Sequence, residues 1–251
     1  MRAARHLEWR LPGGGAPSGP ARAIVGSCAI AFSAGCGSSG EPITRLSQLS
    51  DIKLLALVDY NPPLPPPTPG VAAALQFAGP LPCPSLKVTA TLDGIPLAYS
   101  PGVSGAFGNG CQLGFYLEQD VASAPHSVLA FSDGVDQSSL TATNLLEART
   151  LSSTLVDGGA TSPGDVISFA WSAATDTIAL TDAFFSSDAG SVSAATQSTG
   201  TAVQVTVPPL APGPWTLEVD VVARPPIVDC ADASVCSVEV SATTDVAVTV
   251  P

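Results

Sequence analysis

From Trp215 to Val221 every second residue is apolar, with Trp215, Leu217, Val219 and Val221 alternating against Thr216, Glu218 and Asp220. Successive side chains of a strand point to opposite faces of a sheet, whereas a helix repeats every ~3.6 residues, so this pattern selects a strand with one face buried. The same period recurs in Leu86, Val88, Ala90 and Leu92, in Ile167, Phe169 and Trp171, and in Val203, Val205 and Val207. Shorter runs over Cys111 to Glu118, Ser127 to Ser132, Ser138 to Asn144, Ser237 to Ala242 and Asp245 to Val250 read the same way. Turn chemistry separates them: Asp93-Gly94, Pro163-Gly164-Asp165 and Pro208-Pro209 each interrupt a run. No amphipathic helix of crossover length lies between the runs, which argues against βαβ units and points to an antiparallel sandwich or barrel; the expectation is an all-β chain of two antiparallel β-sandwich domains. Their expected extents are residues 51–150 and 161–251.

The apolar run Ile52 to Val58 is too short for its period to choose between strand and helix. The stretch 61–70 that follows holds Pro62, Pro63, Pro65, Pro66, Pro67 and Pro69, which fix φ and lack amide donors. A helix cannot continue through it. The run is therefore read as a strand that ends in a stiff, extended connector.

Ala23 to Cys36 is an uncharged run of small and apolar residues behind Arg22, shorter than the roughly 20 residues a spanning helix needs and followed at once by Gly37-Ser38-Ser39-Gly40. That is the shape of an export signal rather than of a permanent anchor. Ala34-Gly35-Cys36 resembles the end of a bacterial lipoprotein signal. The resemblance implies that residues 1–35 are removed, that Cys36 is lipidated, and that residues 36–50 form a flexible tether from the membrane. The segment Met1 to Arg22 is long and carries Trp9 with several prolines and glycines, which is consistent with a start downstream of Met1. The alternative is an ordinary secretory signal cleaved near Ala31 or Gly35, and a secreted product without lipid. Of the six cysteines, Cys28 falls within the signal and Cys36 would carry lipid. Cys83, Cys111, Cys230 and Cys236 then remain as an even set, as an oxidising compartment favours. Paired by proximity in sequence, Cys230 with Cys236 clamps a short hairpin loop and Cys83 with Cys111 closes a longer one. Chain entropy assigns these closures ~2.4 and ~3.5 kcal/mol.

Pro163-Gly164-Asp165 leading into Ile167 to Trp171, and Leu210 to Gly213 leading into Trp215 to Val219, resemble the second strand and the proline-glycine corner of bacterial immunoglobulin-like domains. The resemblance covers Thr161 to Pro251 and implies an immunoglobulin-like sandwich there. It lacks the cysteines that antibody-type domains carry on their two facing strands.

Charge narrows the partners. Of nine basic and 21 acidic residues, four (Arg2, Arg5, Arg10, Arg22) and one (Glu8) precede Cys36, leaving five against 20, a formal −15. Such a surface repels phosphate backbones, so nucleic acid is excluded as a partner. Catalytic chemistry has little to work with. His126 is the single histidine after the signal, and Ser127 and Asp133 lie near it in sequence without a Gly-x-Ser-x-Gly elbow. Glu218 and Asp220 share the exposed face of one strand, where solvated carboxylates are ordinary. Asp133 with Asp136, and the stretch Asp182 to Asp188, sit in turn-like sequence and are weak calcium candidates without EF-hand spacing. Trp171 and Trp215 fall on apolar faces and read as core.

The resulting expectation is a non-enzymatic lipoprotein of the bacterial cell envelope, on the outer membrane or the cell surface. It would use no cofactor and would have a structural, adhesive or ligand-binding role toward a protein or glycan. The alternative is a carbohydrate-binding accessory module of an extracellular hydrolase system, for which a shallow cleft lined by Tyr99, Phe107, Phe115 or Tyr116 would speak.

Overall fold

The computed structural model describes residues 45–60, 70–79, 83, 86–107, 110–117, 122–188 and 190–251. The expected signal, Cys36 and most of the proline-rich connector lie outside them. Among the described residues seventeen strands run β1 (Ser50–Tyr60), β2 (Gly70–Ala78), β3 (Thr89–Leu92), β4 (Ile95–Phe107), β5 (Gly110–Tyr116), β6 (His126–Ser132), β7 (Gln137–Thr143), β8 (Leu151–Ser153) and β9 (Gly159–Ala160). They continue as β10 (Val166–Trp171), β11 (Thr177–Ser187), β12 (Gly190–Ser193), β13 (Ala195–Thr199), β14 (Ala202–Thr206), β15 (Gly213–Arg224), β16 (Ile227–Ala231) and β17 (Val235–Val250). One 3-10 turn, Leu46–Gln48, precedes them. No helix among the described residues is long and apolar enough to cross a membrane.

A large sheet has the order β12-β11-β15-β17-β1-β2-β5-β4. Strand β4 then turns the path into a facing layer: Ile95 to Leu97 pair with β3 while Ala98 to Phe107 pair with β5. Beyond it come β3-β6-β7-β16. The β3–β4 hairpin turns at Asp93 and Gly94, whose φ values of 51° and 81° are the left-handed pair that a two-residue hairpin loop requires. Phe115 of β5 meets Phe131 of β6 edge to face, with ring centroids 5.7 Å apart, so the two layers share a core. A separate sheet, β13-β14-β10-β8, supplies Ile167, Phe169, Trp171, Val203 and Val205 to the same buried cluster as Trp215, Leu217, Val246 and Val248 of the large sheet. The chain is thus all-β with sandwich-like layering.

The joining of the layers differs in detail from the reading of the sequence. Ser237 to Ala242 and Asp245 to Val250 are one strand, β17, not two. Its buried positions Val238, Val240, Ala242, Val246, Val248 and Val250 stay in phase across the polar Thr243 and Thr244, so the pleat has no reason to break there. The first half of β17 pairs in parallel with β1, Leu54 facing Cys236 and Val58 facing Val240, while its second half pairs antiparallel with β15. Glu41–Pro251 forms one compact unit, and β1 and β17, from the two blocks expected as separate domains, lie side by side within it. Of Leu86 to Leu92, only Thr89–Leu92 is strand. The segment 177–199, poor in recognisable alternation, supplies β11, β12 and β13.

A buried polar hub fastens the connection after β7. Arg149, 2% exposed, donates from Nε to Asp176 Oδ2 and from Nη2 to Asp176 Oδ1, both at 3.1 Å. Its Nη1 donates to the carbonyls of Asn144, Leu145 and Glu147. Trp171 Nε1 donates to Asp176 Oδ2 at 3.0 Å. Burial pushes the Tyr60 phenol, at the end of β1, above its ordinary pKa, and the Arg149 cation pulls it back. The hub therefore joins the stretch leaving β7 to the turn after β10. Removing one partner of such a pair strands the other charge without water, so Arg149→Met should lower stability by about 3–5 kcal/mol in urea unfolding. A loss below about 1 kcal/mol would show that the pair is solvated or dispensable.

Candidate functional site

The outer face of the large sheet carries the densest register of functional side chains. Inward positions of β11, β15 and β17 are spent on the core, which turns the intervening ones outward, where Asp182, Phe184 and Asp245 are exposed and Glu218, Asp220, Ser241 and Thr243 are half-buried. Strand register arranges these in rows. Phe184 faces Glu218, which faces Asp245; Asp182 faces Asp220, which faces Thr243. Leu180 faces Val222, then Ser241, then Asp59 of β1. Phe184 is 37% and Leu180 49% exposed. Four strands at the usual spacing make the face ~14 Å wide.

Two hydroxyls organise its carboxylates. Thr243 Oγ1 donates to Asp220 Oδ1, and Ser241 Oγ donates to Asp59 Oδ1 at 2.9 Å. Burial pushes the Asp59 carboxyl above its ordinary pKa; the Ser241 hydrogen bond opposes this and the charge of Asp220 adds to it. Like charges directly opposite one another cost stability, and here two such pairs, Asp182 with Asp220 and Glu218 with Asp245, stand side by side. The face is an array of acceptors around an aromatic ring.

Other residues singled out by sequence are placed as follows. Asp133 and Asp136 lie in the β6–β7 turn and engage backbone and hydroxyl donors. Asp133 Oδ1 accepts from the amides of Val135 and Asp136 at 2.9 and 2.8 Å, and its Oδ2 accepts from the amide of Leu46 at 2.7 Å. Asp136 Oδ2 accepts from Ser47 Oγ at 2.5 Å. Together they clamp the chain just before β1. Asp182 belongs to strand β11 and not to a turn, because Ala183 and Phe185 are drawn into the core on either side of Phe184. Among the described residues no three of His, Cys, Asp and Glu converge as a metal site. His126 opens β6 on its exposed side, Ser127 points inward and is fully buried, and Asp133 lies beyond the far end of the strand, roughly 20 Å away. Alternation and distance keep the three apart.

Trp171 and Trp215 are core residues, 3% and 8% exposed, with the Trp215 indole donating to the Ala211 carbonyl at 3.0 Å. The aromatics whose convergence would favour a carbohydrate-binding module are placed as follows. Phe115 is buried, and the neighbouring exposed Tyr116 points to the opposite face. Tyr99 touches the edge of the Phe115 ring, and the Phe107 side chain lies outside the described residues. Cys83 is bonded to Cys111, and Cys230 to Cys236. The second bond is not at the tip of a loop, because Cys230 sits in β16, which pairs with β7 of the facing layer, whereas Cys236 sits in β17 of the large sheet. It ties one layer to the other. Reasoning from sequence passed over Phe184 and Asp59 and did not see β11 as a strand, because its outward Leu180 and Phe184 disguise the alternation; the cross-strand pairing of Asp182 with Asp220 exists only through register.

No protein family and no curated protein matches the chain. Among solved structures it is similar to SGBP-B of the Bacteroides ovatus mixed-linkage glucan utilization locus, in complex with a mixed-linkage heptasaccharide. The alignment covers 71% of this chain and 41% of that one, at 13% identity and a TM-score of 0.23. The chain spans less than half of that protein, and the overlap is too loose to transfer a fold or a ligand.

Asp59 and Asp133 are shifted in opposite senses. Amide donors hold Asp133 below its ordinary pKa. Its contribution to the folded clamp is present above the unfolded value and is lost as pH falls through the folded one. Asp59 holds its proton more tightly when folded, so its contribution is largest in acid and is lost as pH rises through its raised value. An NMR titration should give Asp59 the higher midpoint, with the Leu46 amide shift following Asp133; the reverse order would contradict both assignments.

Proposed function

We propose that this chain is a non-enzymatic, lipid-anchored module of the bacterial cell envelope that binds a neutral polysaccharide on the outer face of its large sheet. The observation that carries the reading is the register that sets the Asp182–Asp220 row between Phe184 on one side and Leu180 on the other. A sugar ring offers an apolar C–H face to an aromatic and hydroxyl donors to carboxylates, and ionised carboxylates accept without donating. Asp182 and Asp220, opposed across β11 and β15, repel one another in the free protein, and donors from a ligand would relieve that cost. The acidic face and the formal −15 disfavour polyanionic glycans, leaving neutral ones. Anchoring is supported by the run ending in Ala34-Gly35-Cys36 and by the use of four of the six cysteines in two intrachain bonds.

Two measurements test the parts separately. In affinity electrophoresis against neutral polysaccharides, Phe184→Ala and Asp220→Asn should each weaken retardation about tenfold, the loss of roughly 1.4 kcal/mol, without moving Tm. Undiminished binding by Phe184→Ala, or no binding by the parent chain, would remove the face from consideration. In detergent phase partition the parent should enter the detergent phase and Cys36→Ala the aqueous one. An aqueous parent would mean a secreted protein without lipid.

A further inference from the structure

A cavity of about 400 Å³ opens beside the clamp that precedes β1. Leu46, Leu49 and Ile52 supply its apolar side, and Asp136, Gln137 and Asp232 its polar side. Three stretches far apart in sequence build it, and each is fixed by hydrogen bonds of its own. Leu46 is held through the Asp133 carboxylate. The Ile52 carbonyl accepts from both the amide and the hydroxyl of Ser234, at 2.7 and 2.6 Å. Ser138 Oγ, lining the same space, donates to the Asp232 carbonyl at 2.9 Å and so supports the left-handed φ of 53° there. The walls are therefore set before any ligand arrives.

We infer that this cavity is a binding site for a small primary amine, whose ammonium sits against the carboxylates of Asp136 and Asp232 while its carbon chain lies on Leu49 and Ile52. Both ionisable side chains of the lining are acids, and no basic residue faces them from the lining. Asp136 spends one oxygen on Ser47. Asp232 is exposed, and among the described residues its carboxylate makes no hydrogen bond or ion pair. An alcohol of the same length would gain the apolar contact without the charge-assisted one, so the site distinguishes amine from alcohol. The inference stands on the cavity and not on the sheet face, and neither variant below touches Phe184 or Asp220.

The test uses the full mature chain with n-pentylamine, and 1-pentanol as the uncharged control, followed by amide NMR. Pentylamine should give saturable shifts at Leu49, Ile52 and Gln137, and pentanol should bind about tenfold more weakly. Asp232→Asn should lose about tenfold in pentylamine affinity at unchanged Tm. Ile52→Trp, which fills the apolar side, should abolish the shifts; should it fail to fold, Asp232→Asn and the alcohol control still decide. Shifts scattered over the acidic surface that vanish in screening salt, equal binding of amine and alcohol, or an Asp232→Asn variant that binds like the parent would each overturn the proposal.

Discussion

The hydrogen-bond ladders of β17 hold the fold in one piece. Sixteen residues long, this strand pairs with β15 along its second half, with β1 along its first, and with β9 near its end. Its inward valines enter the buried cluster that both blocks share. Strand pairing is obligatory for buried backbone, because an amide or carbonyl left without a partner away from water costs about as much as a lost hydrogen bond. A break in β17 would therefore expose ladders in both blocks at once. The Cys230–Cys236 bond attaches the start of the same strand to β16 in the facing layer, so one strand is secured through hydrogen bonds within its sheet and covalently across the core.

The Arg149 hub complements that arrangement where strands cannot reach. In the connection leaving β7, the carbonyls of Asn144, Leu145 and Glu147 all accept from one guanidinium. A planar group with five donors suits this task, since lysine could not satisfy three carbonyls and a bidentate carboxylate together. The cost of burying the charge is offset by Asp176, which also receives the Trp171 indole. The two blocks are thereby linked by polar contacts that are specific in direction, beside the apolar contacts that are not.

The outer face of the large sheet follows from the same geometry. Once every second residue of β11, β15 and β17 is committed to the core, register alone decides which remaining side chains become neighbours. That is how Asp59, from the first block, comes to share a row with Ser241 and Leu180, and how its carboxyl comes to feel the charge of Asp220. The cavity beside Leu46 has a comparable origin, because its walls come from segments brought together only after the β6–β7 turn clamps the chain before β1.

By itself the sequence determined the all-β class, the positions of β1, β3, β5, β6, β7, β10, β14, β15 and β17, and the placement of Trp171 and Trp215 in the core, because side-chain alternation and turn chemistry are local properties written in neighbouring residues. It also made the hairpin at Asp93 and Gly94 legible, since left-handed backbone demands particular residue types. The strands of 177–199 escaped because outward Leu180 and Phe184 mask the period. The parallel union of β1 with β17, the joining of two expected strands into one, and the placing of Cys230 in the opposite layer were decided by tertiary structure. So were the rows around Phe184 and the hub around Arg149. Each depends on pairing between residues far apart in the chain, where the partner is chosen by the burial of whole faces and not by any local preference.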